Sequence, residues 1–263
     1  MILWYAFILA GLGVQAKALP DAESFRKDLP AIVNVSSGGS IALDGTMAHD
    51  ESLQKYTYKE TKTSISLDSN GKTRGSMTEV YEVTRSAEAG QVYRKLISKT
   101  GAPLSDTRPS QPATGTAVSR PPRDLVAENN DIQALYDIHV EWSEPVDGHA
   151  VIALTLKPKT RYKPKTDLGR WQQHFSIRAW VTAEEHELVR REAVVVSEIR
   201  VGRPIKKGTM MTVERRLING EIWLPVRTEL HILGSFMLND AQGTFVSEFS
   251  DFRKFVADVE LKP

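Results

Sequence analysis

The clearest signal in this chain is alternation. From residue 55 onward, apolar and polar side chains exchange places at every second position over long stretches. That is the pattern of strands with one buried face and one solvated face. The spacing predicts strands over 55–67, 74–85, 91–99, 134–142, 149–157, 173–182, 187–199, 208–218, 221–233 and 244–256, many of them rich in Thr, Tyr, Val and Ile. Asp68-Ser-Asn-Gly71, Asp147-Gly148, Ala183-Glu-Glu-His186 and Asn219-Gly220 separate successive strands as turns, and Asn-Gly is a strong hairpin signal. Ile152, Leu154 and Leu156 share one face, as do Phe175, Ile177, Ala179 and Val181, and Ile222, Leu224, Val226, Leu230 and Ile232. Tyr136, Ile138, Val140 and Trp142 form a further stripe, with core packing expected for Trp142. Trp180 and Trp223 fall on the opposite parity, which means either a second face packed under a covering segment or exposed aromatics for partner contact, the former being favoured.

About ten strands joined as hairpins must curl, close or be covered. The expected fold is therefore mainly β, a single strongly curved antiparallel sheet forming a half-barrel. Its expected covers are short N-terminal helical segments, around 21–29 and 49–54, and a Pro-rich loop. That loop is read over 100–125, where Pro103, Pro109, Pro112, Pro121 and Pro122 leave no room for a regular element, and it is expected to be mobile.

Before the strands stands an apolar run, Ile2 to Val14, too short to span a bilayer and the right length for a secretory signal. Ala16-Lys17-Ala18 offers a cleavage pattern, so residues 1–18 read as a signal peptide and 19–263 as one domain, exported to the periplasm or beyond and soluble. Cleavage after Ala16 is the alternative. The chain has 263 residues, 34 Lys and Arg against 33 Asp and Glu, and no Cys. Near-neutrality argues against nucleic acid as a partner, and the lack of Cys removes disulfides, thiolate metal sites and a Cys nucleophile.

Catalytic chemistry is not evident. The six histidines (His49, His139, His149, His174, His186 and His231) show no metal-binding spacing, and there is no Gly-x-Ser-x-Gly elbow. Gly71-Lys72-Thr73 imitates the end of a phosphate loop but lacks its upstream glycine, and reads as a turn. No catalytic residue, metal or cofactor is expected. Two basic loops stand out. One runs over 157–170 with Lys157, Lys159, Arg161 and Lys163; the other runs over 200–207 with Arg203 and Lys206. In a meander these loops share a rim, while Glu144, Asp147, Glu184, Glu185 and Glu187 lie on the other. Either the loops are charged because they are solvated, or the basic rim meets an anionic membrane surface or an acidic partner.

A family resemblance accompanies this pattern. It is carried by Tyr56-Thr-Tyr-Lys-Glu, Tyr93-Arg-Lys-Leu with Gly101-Ala-Pro-Leu-Ser, Val146-Asp-Gly-His-Ala-Val-Ile-Ala-Leu, Arg178-Ala-Trp-Val-Thr, Glu187-Leu-Val-Arg-Arg-Glu-Ala, Ile222-Trp-Leu-Pro-Val-Arg and Phe249-Ser-Asp-Phe-Arg-Lys-Phe. Together these resemble the half-barrel superfamily of periplasmic lipoprotein and lipid carriers, the LolA and LolB type. The resemblance implies acyl chains of a lipoprotein or lipid held in the concave apolar face of a bent sheet, without catalysis. On that reading Ile152, Leu154, Phe175, Ile177, Leu224, Val226 and Leu230 contact the ligand, the alternative for each being an ordinary filled core, and the protein works as a monomer. The alternative is a periplasmic sensor or protein-interaction module on the same fold; a hydrolase with an unrecognised site ranks third.

Overall fold

The computed structural model describes residues 18–33, 53, 56–68, 70–85, 92–101, 124–200, 204–236 and 239–254. Ten strands form one antiparallel sheet: β1 (Tyr56–Leu67), β2 (Thr73–Arg85), β3 (Val92–Gly101), β4 (Tyr136–Trp142), β5 (Val151–Pro158), β6 (Phe175–Thr182), β7 (Leu188–Val195), β8 (Met210–Ile218), β9 (Ile222–Phe236) and β10 (Asn239–Lys254). Their spatial order is β3-β2-β1-β10-β9-β8-β7-β6-β5-β4. The sheet is open, with β3 and β4 at its edges, and fits a curved half-barrel, as the alternation predicts. One pairing lies outside the hairpin series: β1 joins β10, Tyr56 opposite Lys254 and Leu67 opposite Gln242. It links the two ends of the strand sequence into one surface.

The turns obey local chemistry. Asn219 and Gly220 take φ of 53° and 68°, the doubly left-handed conformation a tight hairpin requires. At the β1–β2 turn the Asp68 carboxylate accepts from the backbone N–H of Asn70 and of Lys72, both at 2.9 Å, so Gly71-Lys72-Thr73 is a hairpin turn. Pro225 lies inside β9, which has partners on both sides. Lacking an N–H, it cannot continue the ladder there, and the β8–β9 register shifts between Glu214 and Arg215.

Helical cover is wider than the sequence suggests. A 3-10 turn over Ala22–Asp28 and α1 (Leu29–Val33) form the expected N-terminal cover. Two further helices follow later in the chain, α2 (Leu125–Leu135) and α3 (Asp167–Gln172). Asp124 caps α2 by accepting from Ala127 N–H at 3.0 Å, and Thr166 caps α3 through Gly169 N–H at 3.0 Å. The predicted loop 100–125 thus begins after Gly101 and ends at a helix cap, and Ala134 and Leu135 belong to α2 rather than to the strand read over 134–142. The body of that loop lies outside the described residues. So do the predicted signal apart from Ala18, and the turn at 49–54 apart from Leu53.

The core sits between these covers and one face of β4–β7. Phe25, Leu29, Ile32 and Ile132 pack on Ile152, Leu154, Leu156, Phe175 and Ile177. Polar ties fix the cover: Arg26 Nη1 donates to Gln133 O at 2.6 Å, and His186 Nδ1 pairs with Asp28 Oδ2 at 2.7 Å beneath the Phe25 ring. On the opposite face, Trp223 and the half-buried Trp180 pack with Val151, Val189 and Leu217, so these aromatics are packed rather than exposed, though against strand residues and not under a covering segment. Trp180 is flanked by the guanidinium groups of Arg178 and Arg190, 5.0 and 5.1 Å from its centroid. Trp142 departs from expectation. It ends an edge strand away from α2 and is 37% exposed.

One buried carboxylate organises the β5–β6 connection. Asp131 of α2 accepts from Tyr162 Oη at 2.6 Å, Thr166 Oγ1 at 2.7 Å, Thr166 N–H at 2.8 Å and Lys165 N–H at 3.0 Å. Burial alone would raise its carboxyl; the hydrogen bonds from Tyr162, Thr166 and Lys165 outweigh burial and hold it below the usual carboxylate range. Tyr162 is pushed up to about 12, chiefly by donating to that carboxylate. Gly169 is required alongside: a Cβ there would stand 2.1 Å from Asp131 Oδ2, and those four hydrogen bonds leave the carboxylate no freedom to retreat.

Two outcomes follow from this packing. Phe25→Ala empties a fully buried ring site and is expected to lower unfolding free energy by about 3–5 kcal/mol in urea titration. A loss under roughly 1 kcal/mol would show that the N-terminal cover is not part of the core. Asp131 is charged more readily in the folded state than in the unfolded one. Its contribution is therefore present above about pH 3.9 and is lost as pH falls through the folded value. Asp131→Asn is expected to cost about 2–3 kcal/mol at pH 7 and to flatten the acid loss of stability. Identical acid limbs in the two proteins would contradict this.

Candidate ligand-binding face

The register aligns side chains into rows that cross the strands. Leu156, Ile177, Ala193, Met211, Leu230 and Phe245 are successive partners from β5 to β10, and the row continues through Ser64 to Met77. Directly opposed residues in an antiparallel pair project to the same side. The helix-bearing face of β4–β7 is therefore continuous with one face of β8–β10, β1 and β2. Past β7 the apolar row leaves the helix-capped core: Met211 and Leu230 belong neither to it nor to the aromatic cluster of Tyr56, Tyr58, Val83, Leu224 and Phe249.

This face collects the residues expected to touch a ligand, in two groups. Ile152, Leu154, Phe175 and Ile177 are buried under the protein's own Phe25, Leu29, Ile32 and Ile132. Leu224 is fully buried in the aromatic cluster, while Leu230, also buried, and the half-buried Val226 lie on β9 beyond the helical cover. Periodicity identified the shared face correctly, but it carried no information about which part the N-terminal segment fills.

The same face turns polar toward β1–β3. Glu60 is buried and pairs with Arg94, whose guanidinium lies 5.1 Å over the Tyr81 ring; Lys99 Nζ meets Glu79 Oε1 at 3.0 Å, and Tyr81 Oη donates to Glu79 at 2.9 Å. Sequence reasoning missed these groups. The signal was there, because Glu60, Lys62 and Glu79 occupy alternate positions in phase with Tyr56, Tyr58 and Met77.

The basic loops share an end of the sheet, because one hairpin, at 183–187, separates the β5–β6 and β7–β8 connections. Lys157, Arg161 and Lys163 are exposed. Lys159 instead donates through Nζ to Ala134 O at 3.0 Å, at the C-terminal end of α2 where a cation is favoured. Lys206 N–H donates to Leu233 O at 2.8 Å, as part of a fold-back in which Ile205 bridges both Ile199 and Gly234. Arg203 lies outside the described residues. At the opposite end Asp147 pairs with Arg216 at 3.1 Å. Among the described residues no three His, Asp or Glu side chains gather as metal ligands, and no helix is long and apolar enough to cross a membrane.

No family model matches the chain, and no curated protein matches it significantly in sequence. Solved structures do align with it. A DUF1329 family protein from Desulfovibrio piger shares 15% identity over 92% of this chain and 96% of its own, with a TM-score of 0.30. A LolA superfamily protein from Nitrosomonas europaea shares 13% over 92% and 98%, with a TM-score of 0.28. A domain assigned to outer membrane lipoprotein sorting in Vibrio parahaemolyticus shares 11% over 80% and 88%, with a TM-score of 0.28. Superposition at this level transfers no residue role and no activity. Its structural neighbours are thus DUF1329, LolA superfamily and lipoprotein-sorting domain proteins, at low identity.

Proposed function

We propose that this protein is an exported carrier that shelters the acyl chains of a lipid or lipoprotein on the helix-bearing face of its bent sheet, without catalysis. The observation that supports this best is the apolar row continuing past the helical cover, from Ala193 through Met211 and Leu230 to Phe245. Ala193, Met211 and Leu230 are themselves buried, so a hydrocarbon tail enters this row as neighbouring side chains move aside, and gains about 25 cal/mol per Å² of its own apolar surface removed from water. The tail meets the half-buried Val226 and Phe245 first, and the buried Leu224 and Leu230 after them. Ile152, Leu154, Phe175 and Ile177 come within its reach when the segment Ala22–Val33 lifts and its side chains exchange places with the ligand. The exposed cations Lys157, Arg161 and Lys163, with Arg203 and Lys206 of the second loop, serve in this reading as the rim that approaches anionic headgroups. Periplasmic localisation follows from the signal read over 1–18.

Lipid extraction and mass spectrometry of protein purified from its native envelope are expected to yield a co-purifying acyl species. Phe245→Glu places a charge at the half-buried end of the apolar row and should abolish that species while the far-ultraviolet circular dichroism stays intact. A lipid-free protein holding a stable protein partner would instead favour the interaction-module reading. For the rim, reversing charge at Lys157, Arg161 and Lys163 together is expected to weaken binding to phosphatidylglycerol vesicles by about 1 kcal/mol per residue. Unchanged vesicle binding would remove the rim from the mechanism.

A further inference from the structure

A second row crosses the same face one pleat repeat, roughly 7 Å, from the apolar one. It starts at Arg191 on β7, passes Val213, and continues through Thr228, Ser247, Lys62, Glu79 and Lys99 as successive register partners. Its composition is unusual for a buried surface. Arg191, Thr228 and Ser247 are only 4, 4 and 5% exposed, and the Lys62 side chain 14%. Three cations stand against one carboxylate, Glu79. Contacts with neighbours hold the cations in place. Lys62 Nζ lies 3.8 Å from Glu60, and Arg191 Nη1 donates to Ile32 O at 3.4 Å. Thr228 and Ser247 stand side by side between these cations, and no side-chain hydrogen bond among the described residues engages either hydroxyl.

We propose that this row is a headgroup subsite, taking the anionic head, phosphate or carboxylate, of an amphiphile whose tail lies along the neighbouring apolar row. The proposal rests on the carrier reading of the same face and adds the chemistry of its ligand. The Lys62 ammonium supplies charge, and the Thr228 and Ser247 hydroxyls supply two donors converging on the same anion. Charge-assisted hydrogen bonds of this kind gain strength where water is sparse. The separation of the rows sets head and tail side by side, so a single-chain anionic amphiphile satisfies both at once.

Three probes of equal chain length test this by competition with a fluorescent fatty-acid reporter: dodecyl phosphate, dodecanoate and dodecanol. The wild-type protein is expected to bind the two anions at least about tenfold more tightly than dodecanol. Lys62→Met should erase most of that preference while leaving dodecanol affinity unchanged, and the double variant Thr228→Val with Ser247→Ala should reduce it severalfold. Equal wild-type affinity for all three probes, or an equal loss for all three in Lys62→Met, overturns the headgroup subsite and leaves the carrier reading standing. Failure of every probe to bind the wild type overturns both. Inorganic phosphate is the fourth arm. If it binds alone as tightly as dodecyl phosphate, the row is a free-anion site and the headgroup assignment falls. The wild-type comparison stands whether or not a variant folds, and thermal denaturation identifies any variant that does not.

Discussion

The structure depends on cross-strand register. A strand has only two faces, and a slip of one residue moves every side chain to the wrong one. Here the register carries one face from β5 to β2 without losing phase, so that Leu156 and Met77, far apart in sequence, lie on one surface. The pairing of β1 with β10 makes this possible. Without it the chain would present two smaller sheets, each with an edge where the apolar row now runs through.

That surface is not uniform, and the division follows from where the covers attach. The N-terminal segment and α2 bury the part made by β4–β7 with aliphatic and aromatic side chains. Toward β1–β3 the same face carries Glu60, Lys62, Glu79 and Arg94 in paired contacts. Between them β8–β10 bring an apolar row and a polar row into adjacency. The charges on the polar row and beside it are compensated within the protein, Lys62 and Arg94 by Glu60 and Lys99 by Glu79.

The cover on the β4 side is itself held by a polar device. Asp131 draws the β5–β6 connection onto α2 through Tyr162, Lys165 and Thr166, and Gly169 leaves room for that approach. The basic loop is therefore an ordered element with its exposed lysines presented outward. Lys159 shows the limit of counting charges along a loop, since its ammonium is turned to the carbonyl end of α2.

The sequence alone determined the strand set, the hairpin turns and the shared faces. Period-two alternation and Asn-Gly or Asp-Gly turns are local properties, readable wherever backbone and neighbours agree. The parity of Trp180 and Trp223 set them apart from the main stripe, and the structure decided that they are packed. It did not reveal α2 and α3, although Asp124 and Thr166 stand as caps; both helices are short, and Pro on one side and basic residues on the other masked them. It misjudged Trp142, because the position of a strand at the sheet's edge is set by the order of strands and not by composition. The β1–β10 pairing, the filling of the β4–β7 face by Phe25, Leu29 and Ile32, and the row that sets Arg191 in line with Thr228, Ser247 and Lys62 were decided by tertiary structure alone. The first two join residues more than a hundred positions apart, as the row does where Ser247 meets Lys62, and no local pattern encodes which distant side chain will share a row.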